Sequence, residues 1–454
     1  MVWLLCGDEF AVLERSKGNF PFQGSGNPPF HAIWHCLKPV GNSRVRRATY
    51  FWQPLRMRAS IRGMKIAQSH IRIAYAAALA GILLPASAHL LAQEPIKIPM
   101  IQERWDTKDN VVFSQDDNYP LGVMKVTKGV AVLKGLDFHN GTIEFDVIPN
   151  GPMGAGIGFR RRDDDTYEDF YLRPRPKCEE AVDCMQYAPQ THGVLLWDMF
   201  PQYQGPAPLK SEGVNHIKLV VNGQRMNIFV NGATTPTLKI GRLEGDTSQG
   251  GILMQGPGTF ANLTVITDAV EGLAPEPVSD ATSKDKRYLR DWMAAPPASL
   301  PDGKEPAFAE MPDASQGWQP LSAERAGLVD LSRAYGLAGG RKVRALAWLK
   351  TDLTSDKAQT KHVSIGWSRE IWVFVNGKQV FADKNLYQPP TARKVPDGRL
   401  SLENGSFDLP LQKGKNEIAI ALANNFYGWG IEMRVDDLKG VKIAETKSIL
   451  AAQK

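Results

Sequence analysis

Apolar and polar residues alternate with a period of two through much of the chain, the repeat of a half-buried β-strand. The clearest case lies within residues 154–187. A strand over 156–161 places Ile157 and Phe159 on one face and Gly158 and Arg160 on the other. Asp163, Asp164 and Asp165 favour turns over strands, so the chain reverses there. The return strand over 167–173 puts Glu168, Phe170 and Leu172 on one face and Tyr167, Asp169, Tyr171 and Arg173 on the other. That second face is aromatic, anionic and cationic together, which suits a polar ligand such as a sugar. The plainer reading is the wet outer face of an antiparallel sheet.

Strand signals recur at short spacing from residue 97 to 270. Residues 129–133 are apolar, and 142–148 alternate with Ile143, Phe145 and Val147 inward. Runs over 217–221 and 224–230 end in Asn222-Gly223 and Asn231-Gly232, dipeptides that accept the positive φ of a tight hairpin turn. Residues 250–254 and 261–266 close the set, and nothing here sustains a helical period. After residue 317 the signals return at 342–351, 361–367, 371–375, 379–381, 416–422 and 431–435, with a third Asn-Gly turn at Asn376-Gly377. Residues 371–375 are apolar on both faces, which predicts a strand buried on both sides. The fold expected is all-β: two antiparallel jelly-roll β-sandwich domains in tandem, over 97–270 and 317–446. Between them, residues 271–316 are Pro-rich and read as an extended, semi-rigid linker, with one short helix over 284–294.

Composition adds many turns, with 41 Gly and 31 Pro. The net charge of +6 misleads, because residues 1–63 alone hold nine Lys/Arg against three Asp/Glu, while 93–454 hold 43 against 45. The near-neutral body excludes a nucleic-acid footprint. Residues 1–63 show no strand or helix period and read as a non-native or disordered extension. Met64 then opens a better-formed N-terminus: Lys65 and Arg72, a 12-residue apolar core over 73–84, and small residues at Ala86-Ser87-Ala88, with Leu90-Leu91-Ala92 as a second option. That is the pattern of a secretory signal peptide over 64–92. A membrane anchor would need roughly 20 apolar residues, and Pro85, Ser87 and His89 interrupt this run. The mature chain is expected to be extracytoplasmic, periplasmic or secreted, without membrane insertion. Cys6 and Cys36 fall in the extension, and Cys178 and Cys184, six apart, predict a local disulfide in an oxidising compartment.

The ordered runs HNGTIEFDV, GIGFRRRDDDTYEDFYLRP, MQY, HIKLVVNGQRMNIFVNG and GGILMQG to FANLTV resemble a concanavalin A-like lectin/glucanase (laminin G-like) domain over about 170 residues. The resemblance implies a ligand on the concave sheet or its rim, which by position selects Arg160, Asp169, Tyr171, Arg173, Gln186, Tyr187 and Trp197. The superfamily includes binders and enzymes alike. A retaining glycosidase needs two carboxyl groups about 5–5.5 Å apart. Glu144 and Asp146 share a strand face and resemble the E-x-D-x-x-E strand of glucanases, but Pro149 holds the third position, and a wet strand face explains the pair more simply. No catalytic residue is assigned. Asp163, Asp164 and Asp165 offer the hard oxygens that Ca²⁺ takes, although beside Arg160, Arg161 and Arg162 they read first as a salt-bridged turn.

In the second domain, VRALAWLKTDL, SIGWSREIWVFVNGKQVF and GKNEIAIAL followed by NNFYGWG resemble a galactose-binding-domain-like module over about 130 residues. The resemblance implies ligands at rim loops, here Asn424, Asn425, Tyr427 and Trp429, with packing inside the sandwich as the alternative for Trp429. Together these features predict a carbohydrate-binding, lectin-like protein without evident catalytic machinery. The alternatives are a polysaccharide hydrolase or lyase using concave-face carboxylates, and a structural interaction protein.

Overall fold

The longer strands have a dry side and a wet or covered side, and four sheets bury their dry sides in two sandwiches. The computed structural model describes residues 94–445 apart from 109, 153, 339, 341–342 and 388–389, together with two short paired strands, Leu5–Cys6 and Glu9–Phe10. The extension and signal segment expected over 1–63 and 64–92 otherwise lie outside the described residues.

In the first sandwich, one sheet runs Val194–Leu195, Met185–Thr191, Thr166–Leu172, Ala155–Asp163, Gly251–Gln255, Val130–Leu133, Trp105–Thr107. The other runs Leu238–Ile240, Arg225–Val230, Asn215–Asn222, Gly141–Pro149, Gly258–Thr267, Tyr119–Val126, Val111–Asp116. All described pairings are antiparallel. Phe145, Ile143 and Val147 from one sheet meet Phe159, Ile157 and Phe170 from the other in a single core. The fold is all-β, as the alternation predicts. Asn222 pairs with Arg225, so the first hairpin turns on Gly223 and Gln224, one residue later than the Asn-Gly dipeptide suggests. Asn376 and Gly377, at φ 50° and 82°, do form the two-residue turn expected of them.

The second sandwich pairs a four-stranded sheet (Leu328–Asp330, Gly430–Val435, Gln359–Trp367, Gly405–Leu411) with a larger one. The larger sheet runs Gln319–Ser322, Asp291–Ala294, Ala345–Ser355, Gly414–Asn424, Arg369–Val375, Lys378–Asn385. Two expectations are corrected here. Residues 284–294 are not a helix: Asp291–Ala294 is a strand pairing with both Gln319–Ser322 and Ala345–Ser355. Trp292 and Ala294 face one core and Met293 and Ala295 another, which is the strand period winning over a helical guess. Nor is the Pro-rich stretch, read as an extended, semi-rigid linker, merely a connector. Leu300, Trp318, Phe308 and Met311 lie over the outer side of the large sheet, against Trp348, Trp372 and Phe374. That cover is why Arg369–Val375 is buried on both faces, with Ile371, Val373 and Val375 in the inner core.

The two sandwiches belong to one compact unit. Leu328 and Leu400 of the second enter the core cluster of the first. Arg333 bonds Asp246 at 2.6 Å and the Glu244 carbonyl, and pairs with Glu324 at 2.6 Å. The Leu400 N–H donates to the Asp198 carbonyl at 2.8 Å, and the Gly428 N–H to the Asp198 carboxylate at 2.9 Å.

Phe145 and Phe159 are fully buried, so truncating either to Ala removes packing that the rigid sheets cannot refill. Chemical denaturation of Phe159→Ala or Phe145→Ala should show a loss of about 3–5 kcal/mol. A loss below about 1 kcal/mol would contradict these core positions.

Candidate ligand-binding cleft

The register of the first sandwich builds the site row by row. One row on the outer face of its sheet runs Gln255, Gly156, Tyr171, Gln186, and the next runs Leu253, Gly158, Asp169, Ala188. Gly156 and Gly158 leave the middle strand bare on this face. A Cβ on Gly156 would lie 2.1 Å from the Phe170 carbonyl oxygen, and one on Gly158 would lie 2.8 Å from the Leu253 and Tyr167 side chains. Across the bare strand, Gln255 Nε2 donates to Asp169 Oδ2 at 3.2 Å. Beside it, Arg173 Nη2 donates to the Tyr171 hydroxyl at 2.6 Å, Tyr171 donates to Gln186 Oε1 at 3.1 Å, and Gln186 Nε2 donates to the Trp197 carbonyl at 2.6 Å.

The second sandwich closes the other side. Trp197 meets the edges or faces of Tyr387, Phe426 and Tyr427 with centroids 5.0, 6.4 and 5.8 Å apart, all near-perpendicular. Asn424 shapes the loop that carries them: its Oδ1 accepts from the Phe426 N–H at 3.1 Å and its Nδ2 donates to the Tyr427 carbonyl at 3.0 Å. Asn425 Oδ1 accepts from Arg369, whose guanidinium lies over Phe426. The result is a cleft of about 280 Å³ lined by Gly154, Tyr171, Arg173, Leu195, Trp197, Gln255, Tyr387, Phe426 and Tyr427.

The residues singled out from sequence divide accordingly. Tyr171, Arg173, Trp197 and Tyr427, picked in two separate domains, line one cleft, with Asp169 and Gln186 bonded behind it and Asn424 and Asn425 holding its rim. Arg160, Tyr187 and Trp429 stand elsewhere. Arg160 was expected on the ligand face, but two residues, Phe159 and Arg160, oppose Ile252 in a bulge with Arg160 at φ 51°. The bulge turns its buried guanidinium to the His139 and Gly223 carbonyls, at 2.7 and 2.8 Å. Tyr187 neighbours Gln186 and therefore faces the core, where its hydroxyl donates to Glu168 Oε2 at 2.6 Å. Trp429 is fully buried inside the second sandwich. Gly154, Leu195, Gln255, Tyr387 and Phe426 were missed. Gly156 and Gly158 alternating beside Asp169 and Tyr171 hinted at a trough, but Tyr387 and Phe426 come from a partner surface that no local pattern announces.

The other candidates are structural in geometry. Asp164 pairs with Arg161 at 2.6 Å and Asp163 with Arg162 at 3.1 Å, and Asp163 Oδ1 accepts from the Asp165 N–H. Glu144 and Asp146 sit on the other sheet, flanking His216 at 3.7 and 2.8 Å, with Asn262 also donating to Asp146. Among the described residues no group of three or more His, Cys, Asp or Glu is arranged to hold a metal ion. Cys178 and Cys184 form a disulfide, Cα atoms 5.5 Å apart, in the loop after Arg173. No helix of the described residues is long and apolar enough to cross a membrane.

Burial sets the charge state of the site. It pushes the Asp169 carboxyl up to about 8, against the opposing pull of the Gln255 amide and the Phe170 N–H, and Asp169 Oδ1 makes no hydrogen bond. Burial likewise lifts Glu168 to about 7 and Asp198 to about 6, opposed chiefly by hydrogen bonds from Tyr187 and from the Gly428 N–H.

No protein-family model matches the chain, and no curated relative matches it. Among solved structures it is similar to a carbohydrate-binding module, CBM66, from Bacillus subtilis (14% identity, 36% of this chain and 91% of that one, TM-score 0.25). It is also similar to a putative glycosyl hydrolase from Parabacteroides distasonis (14%, 38% and 100%, TM-score 0.29) and to a Bacillus licheniformis β-glucanase (11%, 38% and 98%, TM-score 0.26). At such scores these likenesses do not bear on what the cleft binds.

Two outcomes are expected from this geometry. The folded state holds protons on Asp169, Glu168 and Asp198 that the unfolded chain releases above about pH 4, so stability falls as pH rises from about 4 to 8. Each such group contributes up to about 1.4 kcal/mol per pH unit while it titrates only in the unfolded state. His216, raised by its hydrogen bond to Asp146, acts in the same sense over the upper part of the window. Denaturant melts of Asp169→Asn across this range should show a flatter slope and higher stability than the parent at pH 8; an unchanged slope would remove Asp169 from the account. Separately, a Cβ on Gly428 would lie 2.2 Å from Met199 Cγ and 2.5 Å from Asp198 Oδ1. Gly428→Ala should cost about 1–3 kcal/mol and weaken the near-ultraviolet circular dichroism of the aromatic cluster; an unaltered spectrum would mean the two surfaces meet less tightly than described.

Proposed function

We propose that the chain is an extracytoplasmic carbohydrate-binding protein whose ligand occupies the cleft between its two sandwiches, and that it binds without chemistry. The observation that carries this reading is the lining. Tyr171, Trp197, Tyr387, Phe426 and Tyr427 supply apolar ring faces and edges for sugar C–H groups, and Arg173 and Gln255 supply donors for sugar oxygens. A largely apolar concavity with a few converging polar groups is the general form of a small-ligand site. The volume, about 280 Å³, is at the small end for such sites, which favours a terminal sugar over a long chain threaded through a groove. The Cys178–Cys184 disulfide and the signal-like segment over 64–92 support an oxidising compartment.

A hydrolase would need two carboxyl groups facing the sugar. Asp169 adjoins the cleft singly and is tied to Gln255, Glu168 lies on the opposite face, and Glu144 and Asp146 are engaged with His216 on the other sheet. The binding reading therefore uses the residues where they stand.

A glycan-array screen of the purified protein should yield a selective hit, and Tyr387→Ala or Tyr427→Ala should weaken it roughly tenfold or more, since half-buried aromatics at a cleft centre carry much of the contact energy. A folded protein that binds nothing on a broad array, or a hit indifferent to both substitutions, would overturn the reading.

A further inference from the structure

Arg173 is 6% exposed, lines the cleft, and has no carboxylate partner among the described residues. Its hydrogen bonds end on uncharged oxygens: the Tyr171 hydroxyl at 2.6 Å and the Asp183 backbone carbonyl at 3.4 Å. The nearby carboxylate, Asp183, is committed elsewhere, to Arg399 at 3.2 Å and Arg175 at 2.9 Å. Arg399 lies 5.0 Å from the Trp197 ring that Arg173 approaches at 5.8 Å, but its charge is met by Asp183 at 3.2 Å and Asp397 at 3.7 Å. Of the two guanidinium groups at this ring, Arg173 is thus the one without a carboxylate among the described residues. Asp169, on the same sheet face, makes no ion pair with Arg173 and is bonded to Gln255 instead, and burial raises its carboxyl to about 8.

A guanidinium held out of water without an anion is costly, and its planar fork matches a carboxylate better than it matches a hydroxyl. Tyr171 and Trp197 lie against the Arg173 guanidinium, with ring centroids 4.7 and 5.8 Å away, and so help fix its direction while leaving charge to be met from the cleft. Neutral sugars would satisfy hydrogen bonds there but not the charge.

We propose that the ligand of this cleft is an acidic sugar, a uronate or another carboxylate-bearing residue, whose carboxylate pairs with Arg173 while its ring packs among Trp197, Tyr387 and Tyr427. This rests on the carbohydrate-binding reading and narrows it to a ligand class.

The test is calorimetric titration of the full chain with oligogalacturonate, oligoglucuronate, alginate oligomers and sialyllactose, each beside its own methyl ester, which keeps the ring and removes the charge. At least one acid should bind about tenfold to a hundredfold more tightly than its ester, with the gap closing in high salt and in Arg173→Gln. The acid–ester comparison is made on the unaltered protein, so it stands even where Arg173→Gln does not fold. Equal binding of acid and ester, or preference for neutral glycans, would overturn the acidic-sugar assignment and leave carbohydrate binding intact. Binding of neither acids nor neutral glycans would take down both.

Discussion

At Gly428 the backbone of one sandwich lies directly against Asp198 and Met199 of the other, with no room for even a methyl group. The N–H of Gly428 meets the Asp198 carboxylate while the Asp198 carbonyl takes the Leu400 N–H, so a single residue of the first sandwich is bonded from two loops of the second. Those loops are the ones that carry Phe426 and Tyr427 and, through the 385–404 segment, Tyr387 and Arg399. The close approach therefore sets how the aromatic rings stand over Trp197. Remove it and each sandwich would still have its own core, but the cleft would lose a wall.

Bringing two polar rims this close has an electrostatic consequence. Arg399 is 1% exposed, and Asp198, Asp183 and Asp169 are all buried within or behind the interface. Some of these charges are paired: Arg399 with Asp183, and farther along the seam Arg333 with Asp246 and Glu324. Burial raises two others, Asp169 to about 8 and Asp198 to about 6, and the Asp198 carboxylate is met by the Gly428 N–H. Buried pairs of this kind add little net stability, so the apolar contacts of Leu328, Leu400 and Met199 are the better account of what holds the sandwiches together.

How much of this was legible beforehand follows from the range of each signal. The face shared by Asp169, Tyr171 and Arg173 came straight from alternation, because a strand's period is local and exact enough to survive folding. The same rule failed at Arg160, where one bulge residue reverses the parity, but it held at Tyr187, which the resemblance had grouped with its strand neighbour Gln186 and which alternation puts on the opposite face. KDKRYLRDWMA reads as a short helix in isolation, and what makes its end a strand is long-range pairing of Asp291–Ala294 with Gln319–Ser322 and Ala345–Ser355, which no local pattern records. Each half of the cleft was visible as an aromatic and polar cluster. That the halves face each other was not, since nothing in a linear pattern records which rim of one sandwich docks on which sheet of another.

A site divided between two docked bodies differs from one contained in a single sheet. A ligand touching both walls binds only the docked arrangement, and so stabilises it by mass action. Here the arrangement is already enforced without ligand, by the Gly428 contact and the shared core of Leu328 and Leu400. The rings of Tyr387, Phe426 and Tyr427 are thereby held over Trp197 before anything arrives, and little ordering remains to be done on binding. Two polar groups at the cleft stay short of partners in that rigid frame: Asp169 Oδ1, which has no donor, and the Arg173 guanidinium, which has no carboxylate among the described residues. If the cleft takes a sugar as proposed, its aromatic walls would accept many rings, and those two groups would be where discrimination among ligands arises.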